Sequence, residues 1–397
     1  MDSQTLMTLS EKYVAHTYAR YSLLLVRGKG CRVWDLEGEE YLDFVSGLGV
    51  CSLGHCHPKV IRAIQDQAER LIHVSNLYYI EPQIQLASLL CKHSFADKVF
   101  FCNSGAEANE GAFKLARKYA KEKMENDRYE IITMERSFHG RTLATLTATG
   151  QEKFHKGYEP LMPGFKYIPF NDIRAVKNSI DSKTCAVMLE PIQGEGGVNC
   201  PSEGYLKALR EICDEKGLLL IFDEVQVGMG RTGKLFAYEH DGVEPDMLTL
   251  AKSLAGGVPI GALLIRKGIE KSFKPGDHAS TFGGNPLATA AGVAALTAML
   301  EEGMLENCQK VGDYFLSRLE EIKGKFPFVK EVRGKGLILG IELRMDGSSI
   351  VKEMLKKKIL INCTMGNVLR FLPPLIITQE EVDRVVTTLE EVFRGIS

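Results

Sequence analysis

The clearest pattern along the chain is a series of short, uninterrupted apolar runs bounded by glycine, proline or charged residues. Three of these runs lie at residues 218–222, 247–251 and 260–265. Runs of this length that are apolar on both faces predict strands buried inside a parallel sheet. Similar runs at 99–102, 129–134 and 185–189 alternate with helical stretches, so residues 99 to 265 are predicted to form a parallel α/β domain.

Two of the predicted strands end in side chains that can take part in chemistry. Asp223 follows the first of the three runs and Lys252 follows the second. Ligands of open parallel sheets bind beyond the carboxyl ends of the strands, so both side chains are expected at one edge. Pyridoxal phosphate needs such a pair, because it bonds to a lysine and a carboxylate keeps its ring nitrogen protonated. Each residue alone has an ordinary alternative, a solvated surface lysine or an acid that caps a helix.

A glycine-rich stretch at 228–233 matches the dinucleotide-binding pattern G-x-G-x-x-G. That pattern requires the glycines to stand directly after a strand and directly before a helix. Here residues 223–226 separate the strand from the glycines, and Gly242 and Pro245 soon interrupt the sequence that follows. The context therefore argues against a nicotinamide-dependent oxidoreductase, which stays a competing hypothesis.

Four potential metal ligands, Cys51, His55, Cys56 and His57, lie close together in the sequence. Their spacing is too tight for a regular tetrahedral site, and no second cluster completes one. Pro58 suits the first turn of a helix, which explains the stretch as a loop that leads into that helix. No bound metal is expected.

The run at 99–102 leads into Ser104, Gly105 and Ala106 and then into a predicted helix. A strand, a turn of small residues and a helix N-terminus form an anion site, because free N–H groups and the helix dipole converge there. A helix simply capped by Ser104 is the common alternative. Farther along, Phe138 could stack on a flat ring and Arg141 could bind a carboxylate, although a core phenylalanine and a surface arginine are more frequent.

The two ends of the chain differ in pattern from this α/β region. A hairpin is predicted at 31–44, and after residue 278 long helices alternate with short strands. Arg370 interrupts an otherwise apolar segment and is expected to be paired or to face a ligand. We predict an N-terminal segment at 1–47 that joins a small domain, a large domain at 48–282 and a C-terminal small domain at 283–397.

Composition narrows the classes of function. The chain has 397 residues, 45% of them hydrophobic, which is ample for a large core. A net charge of -2 without a long run of one sign argues against nucleic acid or an anionic membrane surface as a partner. No apolar run reaches the length of a membrane span, and the first residues lack a signal sequence. The ten cysteines show no C-x-x-C spacing, so free thiols and a cytoplasmic location are expected.

Seven blocks of the sequence, taken together, resemble the class III, or ω-amino acid, aminotransferases. Any one block is a weak signal, whereas seven in the same order over nearly the whole chain are specific. The resemblance implies fold type I of the pyridoxal-phosphate enzymes, with a mostly parallel seven-stranded sheet in a large domain and a smaller α+β domain built from both chain ends. The blocks lie at 54–58, 103–109, 138–141, 190–196, 223–226, 251–252 and 280–286.

The resemblance implies roles for five residues around the ring of pyridoxal 5'-phosphate. Lys252 would bond covalently to the cofactor, and Asp223 would hold the ring nitrogen. Val225 and Phe138 would pack on the two faces of the ring. Gln226 would form a hydrogen bond with the phenolic oxygen.

The resemblance also implies a phosphate site and a shared active site. Gly105 and Ala106, with Ser104 before them, would bind the phosphate through backbone N–H groups. Ala106 stands where the family often has a hydroxyl side chain, which would remove one hydrogen bond. Thr281 would reach the phosphate in a partner subunit, so a homodimer is expected. Glu224 is also expected among the cofactor contacts.

Four residues would act on the substrates. Arg141 and Ser280 would contact the substrate, and Arg370 would bind a second carboxylate of the substrate. Glu195 would control access to Arg370. Within the family, the stretch at 73–79 and the compact length are most similar to the subgroup that uses N2-acetylornithine. The expected reaction transfers its terminal amino group to 2-oxoglutarate and gives glutamate, in arginine biosynthesis. Ornithine, succinylornithine, succinyldiaminopimelate and 4-aminobutyrate are alternative donors.

Overall fold

The computed structural model describes residues 1–124 and 127–396. Strands and helices alternate through the middle of the chain, as the apolar runs predict. The strands of the described residues are β1 (Leu25–Lys29), β2 (Arg32–Asp35), β3 (Glu40–Asp43), β4 (Lys98–Cys102), β5 (Glu130–Met134), β6 (Phe165–Ile168), β7 (Thr184–Leu189), β8 (Leu219–Asp223), β9 (Met247–Leu250), β10 (Gly261–Ile265), β11 (Val329–Lys335), β12 (Ile338–Leu343), β13 (Ile359–Leu360), β14 (Asn362–Thr364) and β15 (Val368–Phe371).

Two of the C-terminal helices begin at residues whose side chains cap the helix. Asn285 caps α9 with Pro286 in the first turn, and Thr378 forms a capping box with Glu381 at the start of α12. The helices are α1 (Ser3–Tyr13), α2 (Ser46–Gly49, a single irregular turn), α3 (Pro58–Arg70), α4 (Glu81–Lys92), α5 (Gly105–Lys123), α6 (Leu143–Ala148), α7 (Ile173–Ser179), α8 (Tyr205–Lys216), α9 (Pro286–Glu301), α10 (Met304–Lys325), α11 (Ser348–Lys356) and α12 (Gln379–Arg394).

The large domain is built on a seven-stranded sheet with the order β4-β10-β9-β8-β7-β5-β6. Both faces of its central strands are covered, which explains why their sequences are apolar without alternation. In β8, Leu219 and Ile221 pack into the cluster that contains α5, whereas Leu220 and Phe222 pack into the cluster that contains α8. The predicted mostly parallel sheet is confirmed.

The prediction that the run at 260–265 forms a parallel strand is wrong. β10 pairs antiparallel with both of its neighbours, β9 and β4. Parallel neighbours need a crossover of a dozen or more residues, usually a helix. The connection from Leu250 to Gly261 is shorter and holds only the 3₁₀ turn Lys252–Ala255, so the chain returns in the opposite direction.

The smaller domain combines both ends of the chain, as predicted. β13 pairs parallel with β3, so a C-terminal strand extends the N-terminal hairpin of β2 and β3. A second, antiparallel sheet has the order β11-β12-β15-β14. β11 was not predicted, because charged side chains occupy most positions of this partly exposed edge strand. The boundaries at residues 47 and 282 remain predictions.

The Ala-rich helix α9 packs closely on α3 and α4. A Cβ atom on Gly292 would lie 2.6 Å from the Leu86 side chain, so a larger residue at this position would require Leu86 to move. Among the described residues, every helix is too short or too polar to cross a membrane.

Candidate active site

Lys252 lies just beyond the carboxyl end of β9, at the first position of the turn Lys252–Ala255. Its backbone φ of 40° falls in the left-handed region, which non-glycine residues adopt mainly at turns and functional sites. Burial lowers the pKa of its amino group, although the nearby carboxylate of Glu195 acts in the opposite direction. Such an amine loses its proton more readily and is suited to nucleophilic and base chemistry.

Asp223 ends β8 and is held in one orientation by three neighbours. Its side chain follows Leu219 and Ile221 on the face of the sheet that α5 covers, because side chains alternate along a strand. There Oδ2 accepts a hydrogen bond from Asn109 Nδ2 at 2.8 Å and lies 2.8 Å from His139 Nδ1. Oδ1 accepts one from the Val225 N–H at 3.0 Å. The result is a fixed, buried carboxylate.

Glu190 follows β7 and is a second buried acid at the same edge of the sheet. It accepts hydrogen bonds from the N–H groups of Phe138 and Gly194, both at 3.0 Å. Burial raises the pKa of its carboxyl group to about 7. Glu190 thus holds two loops at the carboxyl ends of the strands, one with Phe138 and one with Glu195.

The N-terminus of α5 faces these residues. Ser104 caps the helix, because its Oγ accepts a hydrogen bond from the Glu107 N–H at 3.1 Å. A Cβ atom on Gly105 would lie 2.8 Å from Val225 Cγ1, so the close approach of this backbone to Val225 requires glycine. The first N–H groups of the helix remain available for an anion.

These groups line one cavity of about 370 Å³. Its walls offer an amine, a fixed carboxylate, the N-terminus of a helix and two apolar side chains, Phe138 and Val225. This set of groups fits pyridoxal phosphate, which carries an aldehyde, a ring nitrogen, a phosphate and a flat ring. The lining includes Ser104, Gly105, Ala106, Asn109, Phe138, His139, Glu190, Glu195, Asp223, Val225, Gln226 and Lys252.

Arg370 approaches this cavity from the smaller domain, on β15. It is fully buried, and its Nη1 lies 2.7 Å from Glu195 Oε1 and 3.1 Å from Gln226 Oε1. Burial alone would raise the pKa of Glu195, but the positive charges of Arg370 and Lys252, with the hydrogen bonds from Arg370 and Gln226, together outweigh it and the pKa lies below its usual value. Glu195 and Arg370 therefore form an ion pair at the cavity.

Arg141 is exposed and is held mainly by aromatic rings. Its guanidinium carbon lies 4.1 Å from the centre of the Phe154 ring and 5.5 Å from that of Phe138. Phe154 in turn meets Phe138 edge to face, with ring centres 5.8 Å apart. Phe154 thus connects a ring that lines the cavity to the arginine outside it.

Comparison with known proteins identifies the family. Residues 13–393 match the family model described as aminotransferase class-III. The chain belongs to the class III aminotransferases. The predicted family and cofactor are thereby confirmed, and the protein is a pyridoxal-phosphate-dependent aminotransferase.

Several known proteins align with this aminotransferase over nearly its whole length. The acetylornithine aminotransferase of Caldanaerobacter subterraneus subsp. tengcongensis is 57% identical, over 98% of this chain and 100% of the relative. That of Methanocaldococcus jannaschii is 54% identical over 100% of both chains. The crystal structure of ornithine aminotransferase from Toxoplasma gondii ME49 has a TM-score of 0.96 at 39% identity, over 100% and 96% of the two chains. N-acetylornithine aminotransferase from Stenotrophomonas maltophilia K279a has a TM-score of 0.84 at 39% identity, over 98% and 99%.

Five of the residues predicted for the site do not line this cavity of the aminotransferase: Arg141, Glu224, Ser280, Thr281 and Arg370. Ser280 and Thr281 instead line a separate groove of about 950 Å³. Ser280 is separated from the cavity only by the side chain of Asn103. Asn103 lines the cavity, and its Nδ2 donates a hydrogen bond to Ser280 Oγ at 3.2 Å. Thr281 is exposed and stays a prediction for a partner subunit.

Glu224 is directed away from the cavity. Its carboxylate accepts hydrogen bonds from the N–H groups of Ala237 and Tyr238, at 2.6 and 2.8 Å. Burial raises its pKa to about 8, whereas these hydrogen bonds act in the opposite direction. Glu224 therefore caps the 3₁₀ turn Ala237–His240, and we remove it from the proposed cofactor contacts.

Asn109, His139 and Glu190 have no role predicted from the sequence. Asn109 and His139 lie in blocks that resemble the family, but a residue type alone does not tell which side chain it meets. His139 Nε2 and Asn109 Oδ1 are buried without a hydrogen-bond partner in the described part of the chain. Both residues line the cavity, so these atoms are available to a ligand or water there.

The two histidines among the four potential metal ligands of the N-terminal loop lie beside carboxylates. His55 Nε2 lies 2.7 Å from Asp43 Oδ2, which raises the pKa of His55 to about 10. His57 Nε2 lies 3.1 Å from Glu302 Oε2. Within the described residues, no group of three or more potential ligands is placed to hold a metal ion.

Proposed function

We propose that this aminotransferase transfers the terminal amino group of N2-acetylornithine to 2-oxoglutarate, giving N-acetylglutamate 5-semialdehyde and glutamate. The observation that carries the proposal is the ion pair of Glu195 and Arg370 beside Lys252. Arg370 can bind a second substrate carboxylate, and Glu195 can block Arg370 for one substrate and leave it free for the other. The choice of N2-acetylornithine is supported by the acetylornithine aminotransferases, which are 49–57% identical to this chain.

The two substrates differ in their number of carboxylates. The donor has one carboxylate, which Arg141 can bind as a bidentate partner. 2-Oxoglutarate has two, which Arg141 and Arg370 can bind together. With the donor, an open Arg370 would compete for its carboxylate and misplace its amine. Glu195 would therefore pair with Arg370 during the first half-reaction and leave it during the second.

Lys252 moves the proton in both half-reactions. Pyridoxal phosphate, when bound, supplies the electron sink that stabilises negative charge on the amine-bearing carbon of the substrate. Lys252 Nζ removes the proton from that carbon, and its lowered pKa favours the neutral amine that this step needs. Asp223 supplies negative charge for the ring nitrogen, and Asn109 and His139 keep its carboxylate in place.

Replacing Glu195 by glutamine is expected to shift the preference towards substrates with two carboxylates. The variant keeps the shape of the side chain but removes the charge that closes Arg370. A hydrogen bond between charged groups contributes about 1.5–3 kcal/mol, so the ratio of kcat/KM for glutamate over N2-acetylornithine should rise roughly tenfold or more. Glu203→Gln, in the same connection between β7 and α8, is the control. An unchanged ratio in Glu195→Gln would contradict the gating role.

Replacing Phe154 by leucine is expected to raise KM for both substrates about two- to fivefold, with kcat nearly unchanged. The reason is that Phe154 contacts the Arg141 guanidinium, and an exposed cation–π contact contributes about 0.5–1 kcal/mol. Steady-state kinetics with each substrate measures the effect, and Phe154→Tyr should behave like the parent. A leucine variant with the parent's KM values would exclude this role for Phe154.

The functional unit proposed here is a homodimer. Thr281 is exposed outside its own cavity, and the apolar side chains of Leu77, Tyr79 and Phe282 are also exposed in this region. Light scattering is expected to give twice the 44.1 kDa of one chain, and a mass of one chain would refute the proposal.

The ten cysteines are free, which supports the predicted cytoplasmic location.

The visible spectrum of the purified holoenzyme tests the donor directly. N2-Acetylornithine should remove the absorbance band of the enzyme-bound cofactor, and 2-oxoglutarate should restore it. A band that ignores N2-acetylornithine but responds to ornithine would change the donor and keep the family. Ornithine is the second candidate because the Toxoplasma gondii ornithine aminotransferase has a TM-score of 0.96 to this chain.

A further inference from the structure

A buried arginine outside the cavity links the two domains. Arg231 is 0% exposed, and its Nη1 donates hydrogen bonds to the backbone oxygens of Leu337, at 3.0 Å, and Pro373. Its Nη2 donates to Ser52 Oγ at 2.7 Å. Burial lowers the pKa of Arg231 to about 10, and no ion pair with a carboxylate is present among the described residues. Burying a cation without an ionic partner is costly, so this arrangement calls for a specific role.

One end of this arrangement leads to Lys252. Ser52 Oγ lies 2.6 Å from Ser253 Oγ, and Ser253 directly follows Lys252. Ser253 Oγ donates to the Gly49 carbonyl at 2.7 Å, so the hydroxyl of Ser52 donates to Ser253. Both serines are buried. A directed series of hydrogen bonds therefore runs from Arg231 through two hydroxyls to the turn that carries the lysine.

The other end leads to Arg370. Pro373 follows β15, which carries Arg370, and Leu337 directly precedes β12. β12 and β15 pair with each other, with Gly340 opposite Arg370. The Leu337 N–H also donates to the Arg231 backbone oxygen at 3.0 Å. Arg231 thus contacts the ends of both strands that hold Arg370 in place.

We propose that Arg231 is a positioning residue that fixes the distance between Lys252 and Arg370. This distance matters for substrates that react at Lys252 and also place a second carboxylate on Arg370. The proposal deepens the proposed function and rests on its assignment of Lys252 and Arg370. The planar guanidinium with its fixed donor directions suits this task, because it holds three acceptors from both domains at set angles.

Half-reactions of the holoenzyme with Arg231→Met test the proposal. The bleaching of the bound cofactor is followed in single turnovers, once with glutamate and once with N2-acetylornithine. We expect the apparent Kd for glutamate to rise tenfold or more, while the limiting rate and the reaction with N2-acetylornithine change less than threefold. If Arg231 had a purely structural role, the variant would bind both substrates more weakly and to the same extent. That result, or no change in either Kd, would overturn the proposal.

Two further variants complete the test. Ser52→Ala removes only the middle hydroxyl and should raise the Kd for glutamate about threefold; if Arg231→Met does not fold, an unchanged Kd in Ser52→Ala overturns the proposal. Arg210→Met removes a half-buried arginine, paired with Asp246 away from the cavity, and should leave the glutamate preference unchanged. If N2-acetylornithine does not react with the parent enzyme, the proposed donor is wrong. Ornithine then takes its place, and the glutamate experiment still decides on Arg231.

Discussion

Replacing Lys252 by alanine is expected to reduce kcat roughly 10⁴-fold or more. The variant lacks the only amine placed beside Asp223 and Glu195 in the described cavity, and no neighbour replaces it as the base. General acid–base catalysis by one group contributes about 10²–10⁴-fold, and Lys252 is also the residue proposed to bond covalently to the cofactor. Turnover of N2-acetylornithine with 2-oxoglutarate, followed by glutamate formation, measures the loss.

The fold of this variant should be retained, because alanine leaves the hydrogen bonds of the turn Lys252–Ala255 intact. Circular dichroism and thermal unfolding check this point. Lys335→Ala is the matched control, since Lys335 is exposed and lines a different cavity. It should keep the parent's activity. Near-normal turnover in Lys252→Ala would disprove the assignment of the site.

Replacing Asp223 by asparagine is expected to lower kcat by about 10²- to 10³-fold, the range seen when one buried electrostatic partner of a reacting group is lost. Asparagine has nearly the same shape but carries no negative charge to keep the ring nitrogen protonated. It also places an amide where Asp223 accepts hydrogen bonds from Asn109 and contacts His139. The dissociation constant for pyridoxal phosphate, measured on the apoenzyme, should rise as well.

Asp246→Asn is the control that separates this effect from the loss of any half-buried, ion-paired acid. Asp246 precedes β9, at the opposite end of the strand from Lys252, and pairs with Arg210 at 2.8 Å. The control should lower the melting temperature but keep kcat within about twofold, because Asp246 does not line the cavity. If Asp223→Asn retained both kcat and cofactor affinity, Asp223 would have no role at the ring nitrogen.

The sequence alone identified the features that depend on local pattern. Apolar runs covered on both faces predicted the central strands, because a strand buried between helices cannot alternate polar and apolar residues. The positions of Asp223 and Lys252 at strand ends predicted that they lie at one edge of the sheet, and both line the same cavity. Helix caps such as Asn285 and Thr378 contact residues only a few positions away, so the local sequence is enough to recognise them.

Only the tertiary structure decided what depends on contacts between distant segments. It reversed the direction of β10, because the connection after Lys252 is too short for a crossover. In the folded chain, Glu224 accepts a hydrogen bond from a 3₁₀ turn, and the side chains of Asn109 and His139 contact Asp223. The tertiary structure also joined Arg231 to Ser52 and Pro373, which are 179 and 142 residues away in the sequence. A side chain's partner is set by the packing of whole elements, so the residue types show which chemistry is available and the fold determines which groups meet.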